Sequence, residues 1–254
     1  DITYRAVRIL KEADIIACED TRHSRKLLSF YGISTPCISY HEHNEVSRSK
    51  EIIEYVLDGK KVAIVSDAGM PGISDPGRIL IEGKILYTII PGPSAVVAAY
   101  VLSGMSGDFT FIGFLPRKGS DREKYLKKID SSDEVCIIYE APHRIKKTLN
   151  EFSSRWIDRS FCVCREITKQ YEETVRFIGS EYNDDMVTDK GEFVVLFGPA
   201  IKSNIELTEK EILELLEKEL ENGLSTKDAS QKIALETGWR KNEVYKIATK
   251  IYQK

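Results

Sequence analysis

Residues 61–77, KVAIVSDAGMPGISDPG, and residues 85–95, ILYTIIPGPSA, carry one pattern twice: a β-branched apolar run that stops at a cluster of Gly, Pro, Ser and Asp. The run 62–65 reads as a buried strand, and 85–90 as its neighbour in the sheet. Open α/β sheets hold ligands at strand ends, where the crevice lies and helix N-termini point donors into it. The pattern points to small-molecule enzyme chemistry on an α/β fold.

Working outward, helix-like and strand-like segments alternate up to about residue 110. Helices are expected over 3–12, 21–31 and 45–57, strands over 15–18 and 37–40, and a further helix over 94–102. That alternation predicts a mostly parallel sheet with helices on its faces. From Phe109 five strand candidates follow, FTFIGFL, VCIIYE, FCVCRE, TVRFIG and EFVVLFG, with helices after Asp121 and Pro142. We therefore divide the chain into an α/β domain over 1–108, a second, strand-richer α/β domain over 109–200 and a helical module over 205–254. Only residues 77–84 remain for a crossover between the two opening strands, which is short for a parallel connection.

In the third segment Thr208 and Glu211 form a capping box for a helix to Glu221, and Asn222-Gly223 stops it. A second helix starts at Ser225, Thr237-Gly238 turns, and a third runs over 241–252. Ala234, Gly238 and Val244 have the spacing of a helix-turn-helix. Basic residues outnumber acids from Ser225 onward, with Lys241 and Lys246 on the third helix, so nucleic-acid contact stands beside plain three-helix packing.

The chain has 254 residues, and its 37 basic and 40 acidic side chains nearly cancel, so any basic surface is local. Neither a signal peptide nor an apolar run of the roughly 18 residues that a membrane span needs is evident, and a cytoplasmic protein is expected. Cys18, Cys37, Cys136, Cys162 and Cys164 mostly lie in apolar runs and read as buried, reduced thiols. His41 and His43 lack the spacing of a metal motif and a third ligand, so no metal is expected.

The loop Ser66-Asp67-Ala68-Gly69-Met70-Pro71 offers backbone that a ligand can approach closely and a carboxylate, Asp67, to accept from ammonium or hydroxyl groups. Pro91-Gly92-Pro93-Ser94-Ala95 repeats the logic, with Ser94 placed to cap the next helix. Neither loop is a dinucleotide or phosphate-loop motif, which argues against nicotinamide and nucleoside triphosphate. Glu19, Asp20, Arg22 and His23 follow a strand directly, so they face substrate or cap the helix at Thr21. Tyr139 and Glu140 end another strand, where the carboxylate meets a ligand or orders a loop. Arg165 and Lys169 contact phosphate or pair with Glu166 and Glu172. The run Arg117, Lys118, Arg122, Lys124, Lys127, Lys128 is a solvated face or a phosphate track.

Residues 66–77 and 91–95 resemble the cofactor loops of the tetrapyrrole methylase superfamily. The segments CEDTRHSRKLL (18–28), SYHEHNE (39–45), FIGFLPRK (111–118), YEAPHR (139–144) and REITKQYEE (165–173) resemble its branch of small-subunit ribosomal RNA methyltransferases. The likeness runs from Asp1 to about Gly198 and extends to the C-terminal helices. It implies two α/β domains with S-adenosylmethionine in the cleft between them, a homodimer, and 2′-O-methylation of a cytidine ribose in 16S rRNA. It also implies a strand and a Pro/Gly-rich loop ahead of Asp1, forming one wall of the cofactor pocket. On this reading Asp67, Ala68, Gly69, Met70, Pro71, Ser74, Pro91, Gly92, Ser94, Ala95, Tyr139 and Glu140 bind the cofactor. Glu19, Asp20, His23 and Glu140 are candidate catalytic residues, with His43 of similar chemistry. Arg22, Arg117, Lys118, Arg144, Lys169, Lys241 and Lys246 contact RNA. A small-molecule methyltransferase of the same fold and a ligand-sensing nucleic-acid-binding regulator without turnover stay open.

Overall fold

The computed structural model describes residues 1–67, 69–73, 76–83, 85–200, 208–237 and 239–251. The chain divides into two compact units, residues 1–201 and 202–254. The first unit opens with α1 (Tyr4–Glu12), β1 (Ile15–Cys18), α2 (Thr21–Phe30), β2 (Cys37–Ser39), α3 (Glu45–Leu57) and β3 (Val62–Val65). Thr3 caps α1 by accepting from the N–H of Ala6 at 3.1 Å. The three strands pair in parallel in the order β2-β1-β3. Cys18 stands opposite both Ser39 and Val65 in that register, so all three strands deliver their carboxyl ends to one edge.

The expected strand over 85–90 does not form. After β3 the crossover helix α4 (Arg78–Glu82) has five residues, which advance the chain by about 7.5 Å at 1.5 Å each. Returning alongside a four-residue strand requires about 13 Å. The segment instead runs without regular structure, with Leu86 96% exposed. Its apolar content fits a strand, but the connection is too short to bring it to the sheet.

Helix α5 (Ala95–Ser103) leads to the larger sheet of β4 (Phe109–Phe114), β5 (Val135–Glu140), β6 (Ser160–Arg165), β7 (Glu173–Ile178) and β8 (Phe193–Phe197), in the order β4-β5-β8-β6-β7. Only β4 and β5 are parallel. Alternation sorts the side chains between two cores. Cys136, Ile138, Val163, Val195 and Phe197 pack with α6 (Ser120–Asp130) and α7 (Ile145–Arg155) on one face. Ile137, Cys162, Cys164 and Leu196 meet α5 on the other. All five cysteines are unpaired; four are buried and Cys37 is half-buried. Burial pushes the Cys18 thiol up to about 11, which keeps it protonated and inert.

The second unit holds α8 (Glu209–Glu221), α9 (Thr226–Thr237) and α10 (Lys241–Ile251). The capping box at Thr208 forms in both directions: Thr208 Oγ1 accepts from Glu211 N–H, and Glu211 accepts from Thr208 N–H at 2.8 Å. Val244 is buried in a core with Ile212, Leu216 and Ile233, and Ala234 packs half-buried against it. Gly238, the intended turn residue, lies outside the described residues, as does the end of the third helix at 252.

Candidate active site

The shared carboxyl edge of β1, β2 and β3 gathers Glu19, Asp20, His41, His43 and Asp67. Asp67 links the ends of β1 and β3: its Oδ1 accepts from the N–H of Asp20 at 3.3 Å, and its own N–H donates to Glu19 Oε2 at 3.2 Å. Asp20 is also the N-cap of α2, accepting from Arg22 N–H at 2.8 Å and from the Arg22 guanidinium at 3.1 Å. Those hydrogen bonds from Arg22 hold the Asp20 carboxyl below its ordinary value. Asp20 therefore takes the capping role and Arg22 begins as its partner, while the Arg22 side chain stays 88% exposed. His23 is exposed one residue further along α2.

The loop after β3 is closed by two glycines in the left-handed region. Gly72 has φ +83° and Gly77 φ +138°, and a Cβ on Gly77 would stand 3.2 Å from the Gly72 nitrogen. Backbone thus packs on backbone where no side chain fits. Glu45 secures the loop from α3, accepting from Gly77 N–H at 2.9 Å. Gly69, by contrast, has nothing among the described residues within 4 Å of where its Cβ would lie, and the same holds for Gly92. Met70 and Pro71 are half-buried beside Gly69, whereas Pro91, Gly92 and Ser94 are exposed ahead of Ala95. Ser94 occupies the N-cap position of α5, but its hydroxyl makes no capping bond, contrary to expectation. Ala68 and Ser74 lie outside the described residues. The His41 and His43 ring centroids are 6.0 Å apart, and His41 Nδ1 is buried without a hydrogen-bond partner among the described residues. No group of three metal-ligating side chains occurs among those residues.

Two further candidates turn out to be internal. Glu140, at the end of β5, has a 1% exposed carboxylate. It accepts from Ala141 N–H at 2.8 Å, Thr148 Oγ1 at 2.7 Å and Arg144 Nε at 3.0 Å. A carboxylate so enclosed has no path to a substrate proton, and Arg144, only 18% exposed, is its partner rather than an open phosphate contact. Tyr139 packs its ring on Phe111 and Phe114, at 4.9 and 5.5 Å. Lys169 forms ion pairs with Glu166 at 3.1 Å and Glu192 at 2.9 Å, and Arg165 donates to Lys190 O and Glu173. Burial opposes the Lys169 charge, yet the bonds to Glu192 and Glu166 prevail and raise its pKa. Arg117, Lys118, Lys241 and Lys246 are exposed, with Lys241 donating to Gln231 at 2.8 Å.

Strand-end loops on a parallel sheet, coupled to a second, mixed sheet in one unit, define the class: the sequence model for tetrapyrrole (corrin/porphyrin) methylases matches residues 1–181. Among solved structures, the methyltransferase CobJ superposes with a TM-score of 0.60 at 20% identity, covering 78% of this chain and 88% of its own. Cobalt precorrin-4 methyltransferase CbiF gives 0.57 at 18%, over the same shares. Those identities speak for the fold alone. Curated relatives are closer: ribosomal RNA small subunit methyltransferase I of Halalkalibacterium halodurans is 39% identical over 97% of this chain and 89% of its own length. Its Bacillus subtilis counterpart is 39% identical over 96% and 88%. The chain belongs to the tetrapyrrole methylase family and, within it, to the ribosomal RNA small subunit methyltransferase I family.

Methyltransferases of this family use S-adenosylmethionine. The residues here suit it: the donor carries a sulfonium and an ammonium, and the edge presents the carboxylates of Glu19 and Asp67 beside the open face of Gly69.

Proposed function

We propose that the chain transfers a methyl group from S-adenosylmethionine to the 2′-oxygen of a cytidine ribose in 16S rRNA of the small ribosomal subunit. The observation that carries this reading is the coupling of Glu19, Asp20 and Asp67 across the ends of β1 and β3, in a chain whose relatives are named for small-subunit rRNA methylation. Bound at this edge, the donor supplies a methyl group already made electrophilic by the sulfonium. Asp67 holds its cationic groups, and Gly69 and Gly92 let it approach the backbone. Alignment of the ribose hydroxyl with the methyl accounts for as much as about 7–11 kcal/mol of the barrier. Glu19 accepts the hydroxyl proton; among the described residues it receives one hydrogen bond, from Asp67 N–H. RNA is docked by phosphate contacts from Arg22, Arg117, Lys118, Lys241 and Lys246, and two copies of the chain form the working dimer.

Incubation with methyl-labelled S-adenosylmethionine and small subunits from a strain lacking the modification tests the reaction. The label is expected in rRNA as an alkali-resistant dinucleotide, because a 2′-O-methyl removes the nucleophile that cleaves the chain in base. Label on a base, or none in rRNA, contradicts the reading. Replacing Asp67 with Ala, or Gly92 with Trp, should weaken donor binding by about 10–100-fold in calorimetric titration, the loss of one charged contact or of the open approach. Unchanged affinity in both variants moves the donor elsewhere. Reversing charge at Lys241 and Lys246 should lower subunit affinity and flatten its salt dependence by about one log–log unit per lost contact, sparing donor binding. Loss of donor binding in that variant would instead make the helices structural.

A further inference from the structure

The peptide that ends β4 is gripped by two guanidinium groups. Arg144 Nη2 donates to the carbonyl of Leu115 at 3.1 Å, and Arg122 Nη1 donates to the carbonyl of Pro116 at 3.0 Å. Each arginine is braced by a carboxylate from the neighbouring elements. Glu140 of β5 receives Arg144 Nε at 3.0 Å, and Glu151 of α7 receives Arg122 Nη2 at 2.7 Å. Arg122 is 8% exposed and lies over the Phe152 ring, 5.5 Å from its centroid. Leu115 itself is 2% exposed, but the next two side chains after Pro116, Arg117 and Lys118, are exposed.

Two successive carbonyls each receive a dedicated arginine, Arg122 buried and Arg144 half-buried, and both arginines are themselves anchored by a carboxylate, so the peptide is held by side chains that cannot swing away. The planar fork of arginine allows one side chain to bind a carboxylate and a carbonyl at once, which lysine cannot do. We propose that Arg144 and Arg122 are positioning residues for RNA recognition: they fix the Leu115–Pro116 peptide so that Arg117 and Lys118 meet the phosphate backbone in one preset geometry. A loop fixed before binding pays no ordering entropy when the polyanion arrives. The inference rests on the RNA-methylating reading above and deepens it, because it assigns Arg144 an indirect role in substrate affinity through the loop.

The test is steady-state methylation of small subunits by Arg144→Lys and Arg122→Lys, with melting followed for every variant. The KM for subunits should rise about tenfold in each, with kcat and donor affinity within about twofold of the parent. In an Arg117→Ala/Lys118→Ala background, itself raised in KM, Arg144→Lys should add less than about twofold, because the groups it positions are gone. Limited trypsin cleavage after Arg117 and Lys118 should quicken in both lysine variants, because a loop released from its anchors fits a protease more readily. If Arg144→Lys fails to fold, Arg122→Lys, acting on the other carbonyl, decides alone. Additive KM effects, unchanged cleavage, or a fall in kcat at constant KM would overturn the clamp while leaving rRNA methylation standing. Parent protein that leaves rRNA unlabelled overturns the reading of the reaction, and this inference with it.

Discussion

Replacing Glu19 with Gln should lower kcat for ribose methylation by about 10²–10⁴-fold, the range of a lost general base, with donor affinity within about twofold of the parent. Glutamine keeps the size of the side chain and an oxygen that can accept from Asp67 N–H, so the link between β1 and β3 survives. What it loses is affinity for a proton. Single-turnover methylation at saturating subunits, beside calorimetric titration of the donor, separates the two quantities. A kcat within threefold of the parent would pass the role to His23 or His43, which lie exposed near the same edge.

Replacing Glu140 with Ala should be among the most destabilising changes in the chain. Its carboxylate is 1% exposed and receives Thr148, Ala141 N–H and Arg144 together. Deleting it leaves a largely buried guanidinium uncompensated, a change that costs about 3–5 kcal/mol in such pairs. At about 2–4 °C per kcal/mol for a unit of this size, the melting temperature should fall by roughly 6–20 °C. Glu140→Gln keeps acceptor capacity and should lose less than half as much. Thermal unfolding of the two variants checks the order; an alanine variant as stable as the parent would mean that the network contributes nothing net.

Much of the fold was legible because the decisive signals are local. Strict alternation through Val135–Glu140 and Phe193–Phe197 assigns one set of side chains to each core, and the structure places them so. Thr208 and Glu211 announced a helix start through spacing alone. The failure at 85–90 has a non-local cause: apolar, β-branched composition favours a strand, but the length of the preceding connection decides whether it can reach a partner. Asp20 could be read as substrate-facing or as a cap, and only geometry resolves such a residue, here toward the cap. Glu140 and Arg144 misled for a related reason. The Leu115 carbonyl that completes their network is 29 residues away in sequence. Arg122 was read as one member of a basic run for the same reason; its burial beneath Phe152 leaves no local mark.

The position of the methyl donor is the claim on which the proposed reaction depends, and a crystal of the protein grown with S-adenosylhomocysteine, the spent donor, tests it most directly. Density is expected against Asp67, Gly69 and Gly92, at the carboxyl edge of β1 and β3. Well-defined density in another crevice, with that edge empty, would contradict the placement and the roles given to Glu19 and Asp67.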